Sequence, residues 1–84
     1  MAKLPRVKAV KVIAALERLG FVKARQKGSH VILKKQILIN EASGSKYFEV
    51  GCVVPLHSKD VAVGTLKSIL DQAKVTVDEF IAAL

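Results

Sequence analysis

The apolar residues change their spacing twice along the chain, and that change restricts the fold more than any other feature of the sequence. Ala9, Val12, Ile13, Leu16 and Leu19 recur at intervals of three and four, the period of one buried helix face. Leu4-Pro5-Arg6 puts a proline where such a helix begins, and Gly20 suits the left-handed residue that ends one, with Arg18 in the last turn. On this reading Arg6, Lys8 and Lys11 lie on the outward face. From Phe21 the period drops to two, and after Leu56 it returns to about 3.6. Leu66, Ile69, Leu70 and Ala73 make one helical stripe. Thr76-Val77-Asp78-Glu79 fits a capping box ahead of a last short helix with Val77, Phe80, Ile81 and Leu84.

Between the helices, Phe21 to Gln26 reads as a strand, Lys27-Gly28-Ser29 as a turn or bulge, and His30 to Lys34 as the returning strand. Gln36 to Asn40 and Tyr47 to Val50 read as two further strands around a polar loop, Glu41 to Lys46. Val53 to Leu56 completes the sheet, with Pro55 marking a strand end or an edge. One helix, a meander and two helices give an α+β class: an N-terminal helix, an antiparallel sheet of three or more strands, and C-terminal helices on one face. The expected organisation is one domain over residues 1–84, since a chain this short fills one core.

Charge is distributed unevenly. The net is +7, with ten Lys or Arg against Glu17 alone in residues 1–35, and four against six acids in the remainder. A basic half of this kind points to a polyanion, and nucleic acid fits better than a membrane surface because the first helix has no aromatic on its apolar face. The longest apolar runs fall far short of a membrane span of roughly 20 residues. The N-terminus lacks the continuous apolar core of a secretion signal, so the expected location is the cytoplasm. Cys52, the one cysteine, sits among valines and reads as a buried core residue. One cysteine and two scattered histidines offer no paired metal-ligand spacing, so neither a metal nor another cofactor is expected.

Arg25-Gln26-Lys27-Gly28-Ser29-His30 is the densest candidate site. Gly28 permits a positive φ or close approach of a phosphate, Ser29 offers a donor, and Arg25, Lys27 and Lys34 supply charge. His30 adds a proton shuttle. RNA brings its own nucleophile, the 2′-OH, so cleavage requires a base for that proton, an acid for the leaving oxygen and cations around the phosphate. An imidazole, with a free pKa near 6.5, can serve without a metal. The alternative is an ordinary strand residue in a solvated turn. His57, at the end of the last strand, is either a second acid-base group or a structural hydrogen bonder. The Gly64-Thr65 helix start either caps the helix or offers free amides to an anion.

Taken in order, Gly20-Phe21, Arg25 to His30, Val54-Pro55-Leu56-His57, Gly64 to Ala73 and Glu79-Phe80 resemble the HicA-like toxins of HicA and HicB toxin–antitoxin modules. The resemblance spans nearly the whole chain. It implies a fold like a double-stranded RNA-binding domain and mRNA cleavage dependent on His30. It also implies a HicB-like antitoxin as partner, while the charge and the turn chemistry point to Arg6, Lys8, Lys11, Arg25, Lys27, Gly28, Ser29 and Lys34 as the RNA contacts. A non-catalytic RNA-binding module using the same basic face is the rival function. The chain departs from the family pattern in two places. The stretch from His30 to His57 is longer by on the order of ten residues around Gln36 to Val50, enough for an added hairpin. Lys74 stands where the family has glycine, and a different exit from that helix is expected.

Overall fold

The structure is a computed structural model that describes residues 3–56 and 59–84. Helix α1 (Ala9–Arg18) leads into three strands, β1 (Val22–Lys27), β2 (His30–Glu41) and β3 (Gly44–Pro55), followed by α2 (Val63–Ala73) and α3 (Val77–Ala83). The strands form an antiparallel sheet in the order β1-β2-β3. This is the α+β arrangement of a double-stranded RNA-binding domain, with one additional C-terminal helix.

All three helices cover one face of the sheet. Side chains alternate along a strand, so Val31 and Leu33 of β2 and their partners Val54 and Cys52 of β3 point to the same side, and all four are buried. Onto them pack Val12 and Leu16 from α1, Leu66 and Leu70 from α2, and Phe80 from α3, each fully enclosed. Cys52 joins this core, and burial pushes its thiol pKa up to about 11. No helix among the described residues is long and apolar enough to cross a membrane.

The helix boundaries correct two sequence expectations. α1 starts at Ala9 rather than beside Pro5, so Arg6 lies in an extended lead-in and Lys8 is the N-cap residue, while Lys11 alone of the three is helical. Their lead-in is tied to the chain after β3 by Val61, whose N–H donates to the Val7 carbonyl at 2.8 Å. Likewise α2 begins at Val63 with Ala62 as N-cap, leaving Gly64 and Thr65 inside the first turn, and no side chain caps it. α1 ends as expected at Gly20, whose φ of +98° only glycine adopts freely. Arg18 sits in the last turn of α1 as expected, and its guanidinium also donates to the Ala83 carbonyl at 2.8 Å and so ties α1 to the end of α3.

α3 is short, and its capping box makes up part of the deficit. The Thr76 N–H donates to the Glu79 carboxylate at 3.0 Å, and the Glu79 N–H donates to the Thr76 hydroxyl at 3.1 Å. The Thr76 backbone bond, assisted by the hydroxyl, holds the Glu79 carboxyl below its ordinary range. A depressed carboxylate stabilises the fold above its unfolded pKa, and that stability is lost as pH falls through the folded value.

Lys74 overturns the expectation of a different helix exit. It takes the left-handed conformation itself (φ 59°, ψ 37°), and the Val75 N–H donates to the Leu70 carbonyl at 3.0 Å, as in a glycine-terminated helix. The geometry is kept by a residue with a Cβ, at a cost of about 1 kcal/mol. Lys74→Gly is therefore expected to raise the melting temperature by a few degrees, corresponding to up to about 1 kcal/mol. A thermal melt with an unchanged or lower midpoint contradicts this.

The segment from Gln36 to Val50 forms neither two separate strands nor an independent hairpin. β2 and β3 each run twelve residues, paired without interruption from His30↔Pro55 to Glu41↔Gly44, and they turn at Ala42-Ser43. β1 pairs with β2 only as far as Val22↔Lys34. Beyond Lys34 the sheet is thus a two-stranded ribbon projecting from the helical layer, and it contributes to a longest dimension of 47 Å against a thickness of 18 Å.

Candidate active site on the open sheet face

The site is built at a tight hairpin turn. Lys27 and His30 pair across the β1–β2 connection, leaving Gly28-Ser29 as a two-residue loop. Gly28 has φ +59°, and no non-glycine residue in the turn has positive φ, which is the sign pattern of a type II′ turn with glycine first. A Cβ on Gly28 would meet nothing within 4 Å, so the glycine serves the backbone conformation and the space over the turn is open. Gln26 braces the loop by donating to the Gly28 carbonyl at 3.1 Å, and the Leu56 N–H donates to the Ser29 carbonyl.

A register shift then decides where the cations point. Simple alternation along β1 would put Lys23 and Arg25 on the same side. The irregularity at Ala24 instead pairs Lys23 with Leu33 and Arg25 with Ile32, which face opposite sides. Arg25 and Lys27 share the helix-free face with His30 by alternation from the turn, and the shift turns Lys23 to the helix side that Gln26 also faces. Directly opposed residues lie with their Cβ atoms about 5 Å apart, and successive rows are about 7 Å apart. Lys27 is thus beside His30, Arg25 lies one row further along with Ile32, and Lys34 two rows along.

These side chains are exposed, and among the described residues neither Arg25 nor Lys27 pairs with a carboxylate. Lys34 is engaged by Glu49 at 3.3 Å. The His30 imidazole makes no side-chain hydrogen bond among the described residues. Arg6 precedes α1 and Lys8 is its N-cap residue, on a lead-in tied to Val61. Lys11 lies in the helical layer, away from the open face. His57 lies outside the described residues.

On the helix side of the same turn is a groove of about 290 Å³ between α1 and the sheet, lined by Val10, Ile13, Glu17, Lys23, Gln26, Val31 and Leu56. Sequence reading did not anticipate it, because it depends on the Ala24 shift that sends Lys23 inward beside Gln26. Glu17 lies within it beside Lys23, so the groove holds no excess of cations, whereas Arg25 and Lys27 lie on the opposite face.

A helix-covered antiparallel sheet presenting an exposed histidine beside Arg25 and Lys27, which pair with no carboxylate among the described residues, defines a class of small basic α+β domain of double-stranded RNA-binding type. The family model for the HicA toxin of bacterial toxin–antitoxin modules matches residues 9–75. The chain belongs to the HicA toxin family. No curated protein matches it.

Proposed function

We propose that this chain is the toxin of a toxin–antitoxin pair and acts as a metal-independent endoribonuclease on mRNA, with His30 as its acid-base residue. The observation that carries the reading is the placement of His30 beside Lys27, one row from Arg25, on an open face at a turn whose backbone is exposed. The imidazole takes the 2′-OH proton, the 2′ oxygen attacks the adjacent phosphorus, and the 5′ oxygen leaves with a proton. The products are a 2′,3′-cyclic phosphate and a 5′-hydroxyl. Arg25 and Lys27 stabilise charge on the phosphorane oxygens, and Ser29 and the turn backbone offer hydrogen bonds. Arg6, Lys8 and Lys34 hold flanking phosphates. The second histidine of the sequence, His57, is the proposed second proton-transfer group.

One observation favours the rival reading, a non-catalytic RNA-binding module: nothing among the described residues orients the imidazole, whereas a catalytic base is commonly oriented by a third group. Bound RNA itself supplies hydrogen-bonding groups at that position, and such contacts tighten on binding. The test is incubation of the protein with an RNA strand and the DNA strand of the same sequence in excess EDTA. The nuclease reading expects the RNA to be cut and the DNA left intact; cleavage only on addition of a divalent metal contradicts it.

The partner in this reading is an acidic, HicB-like antitoxin that covers the His30 turn. One contact surface then neutralises Arg25 and Lys27 and excludes the phosphate, so antitoxin and RNA compete. Binding to the native state also adds stability by mass action, a useful gain for a core this small.

A further inference from the structure

Beyond the His30 turn, the ribbon carries a feature that the cleavage reaction leaves unused. On the face that His30 occupies, the rows continue through Lys34, then Gln36↔Glu49, then Leu38↔Tyr47. Tyr47 is 68% exposed and Leu38 48%. An aromatic ring this exposed, on a ribbon with no helix over it, neither contributes to the core nor makes a hydrogen bond through its hydroxyl among the described residues. Its charge setting is also particular. Arg25, Lys27 and Lys34 lie on the same face toward His30, and Glu49, the acid next to Tyr47, is occupied by Lys34. The face thus runs from cations around the histidine to a neutral aromatic at its far end.

We infer that Tyr47, with Leu38 beside it, is a base-stacking subsite for single-stranded RNA running along the open sheet face from the His30 turn. This deepens the ribonuclease reading and rests on it for the position of the scissile phosphate. Eight strand residues separate His30 from Leu38, on the order of 26 Å at about 3.3 Å per residue. That distance is too long for neighbouring nucleotides and suits a strand of several, within the roughly 4 to 16 nucleotides that single-strand grooves engage. Cations near the turn hold the backbone, and the ring accepts a base whatever its identity, since every base has a π-face. A duplex is excluded from this mode because its bases are already stacked. The other face of the ribbon carries Ile37, Phe48 and Val50 with Lys35 and Lys46, but Lys35 lies over the Phe21 ring and Lys46 pairs with Glu41, so this face is assigned no RNA role.

Tyr47 is the only tyrosine, and the chain has no tryptophan, so intrinsic emission reports this position alone. The probes are 2′-O-methyl oligonucleotides, which are not cleaved: a mixed-sequence strand of about 12 nucleotides and a trimer. The longer strand is expected to quench Tyr47 emission on binding, and the trimer to leave it unchanged at equal nucleotide concentration. By anisotropy of the labelled longer strand, Tyr47→Ala is expected to bind about five- to a hundred-fold more weakly, with Tyr47→Phe restoring affinity. Phe48→Ala, on the opposite face, is expected to bind within twofold of the parent.

Cleavage of an unmodified RNA of the same sequence is followed in parallel. Cleavage without any Tyr47 response overturns the subsite and leaves the nuclease reading standing. A Tyr47 response without cleavage supports the subsite and counts against the nuclease. Absence of binding to the longer strand overturns the subsite, as does a sedimentation change with protein concentration that Tyr47→Ala abolishes while oligonucleotide leaves emission untouched, which would assign the ring to self-association.

Discussion

His30→Ala is expected to lower the rate of RNA cleavage by at least about 100-fold, the low end of what a positioned acid-base group contributes. The fold has no reason to respond, because the side chain is exposed and makes no hydrogen bond among the described residues. Affinity for RNA should stay within a few fold of the parent, since phosphate contacts rather than the imidazole supply most of the binding, and it should still fall steeply between about 50 and 200 mM salt. The combination is diagnostic. Lost cleavage together with lost affinity would make His30 a binding residue, and full cleavage would remove it from the reaction. Measuring single-turnover rates and equilibrium binding on the same variant separates these outcomes.

Phe80→Ala is expected to act on the opposite layer and to be severe. Phe80 is fully buried and joins α3 to the core, and truncating a buried phenylalanine costs about 3–5 kcal/mol. A chain of this size has a thin margin, toward the low end of the roughly 5–15 kcal/mol of ordinary proteins. At about 4–8 °C per kcal/mol, the melting temperature should fall by more than about 12 °C, and much of the chain should be unfolded at 37 °C. α3 has seven residues, too few to hold without that contact, and Arg18 would lose its anchor at Ala83 with it. A circular-dichroism melt displaced by less than about 5 °C would mean that α3 docks independently of its aromatic.

The helices and the class of fold are legible in the sequence because burial of one face writes itself into the spacing of Val12, Leu16, Leu66, Leu70 and Phe80. The Gly28-Ser29 turn is legible too, since a two-residue hairpin with glycine first has few other uses. Two features were hidden for physical reasons. The Ala24 irregularity carries no distinctive residue, because alanine fits a strand and a bulge alike, yet it alone turns Lys23 away from the face shared by Arg25, Lys27 and His30. The uninterrupted pairing of β2 and β3 was obscured because a ribbon exposed on both faces has no reason to alternate apolar and polar residues, so Ile37-Leu38-Ile39 and Tyr47-Phe48 read as separate short strands. Lys74 is a third case. A left-handed residue with a Cβ is tolerated where the remaining helix-end hydrogen bonds fix it, and propensity points the other way.

The most direct test of His30 chemistry on a self-supplied nucleophile is the nature of the cut ends. A defined RNA is digested by the parent protein in excess EDTA, and the products are read by mass spectrometry from the earliest times. A 2′,3′-cyclic phosphate on the upstream fragment and a 5′-hydroxyl on the downstream one, both absent with His30→Ala, are the predicted result. A 5′-phosphate on the downstream fragment would show that water, not the 2′-OH, attacks phosphorus, and would contradict the mechanism.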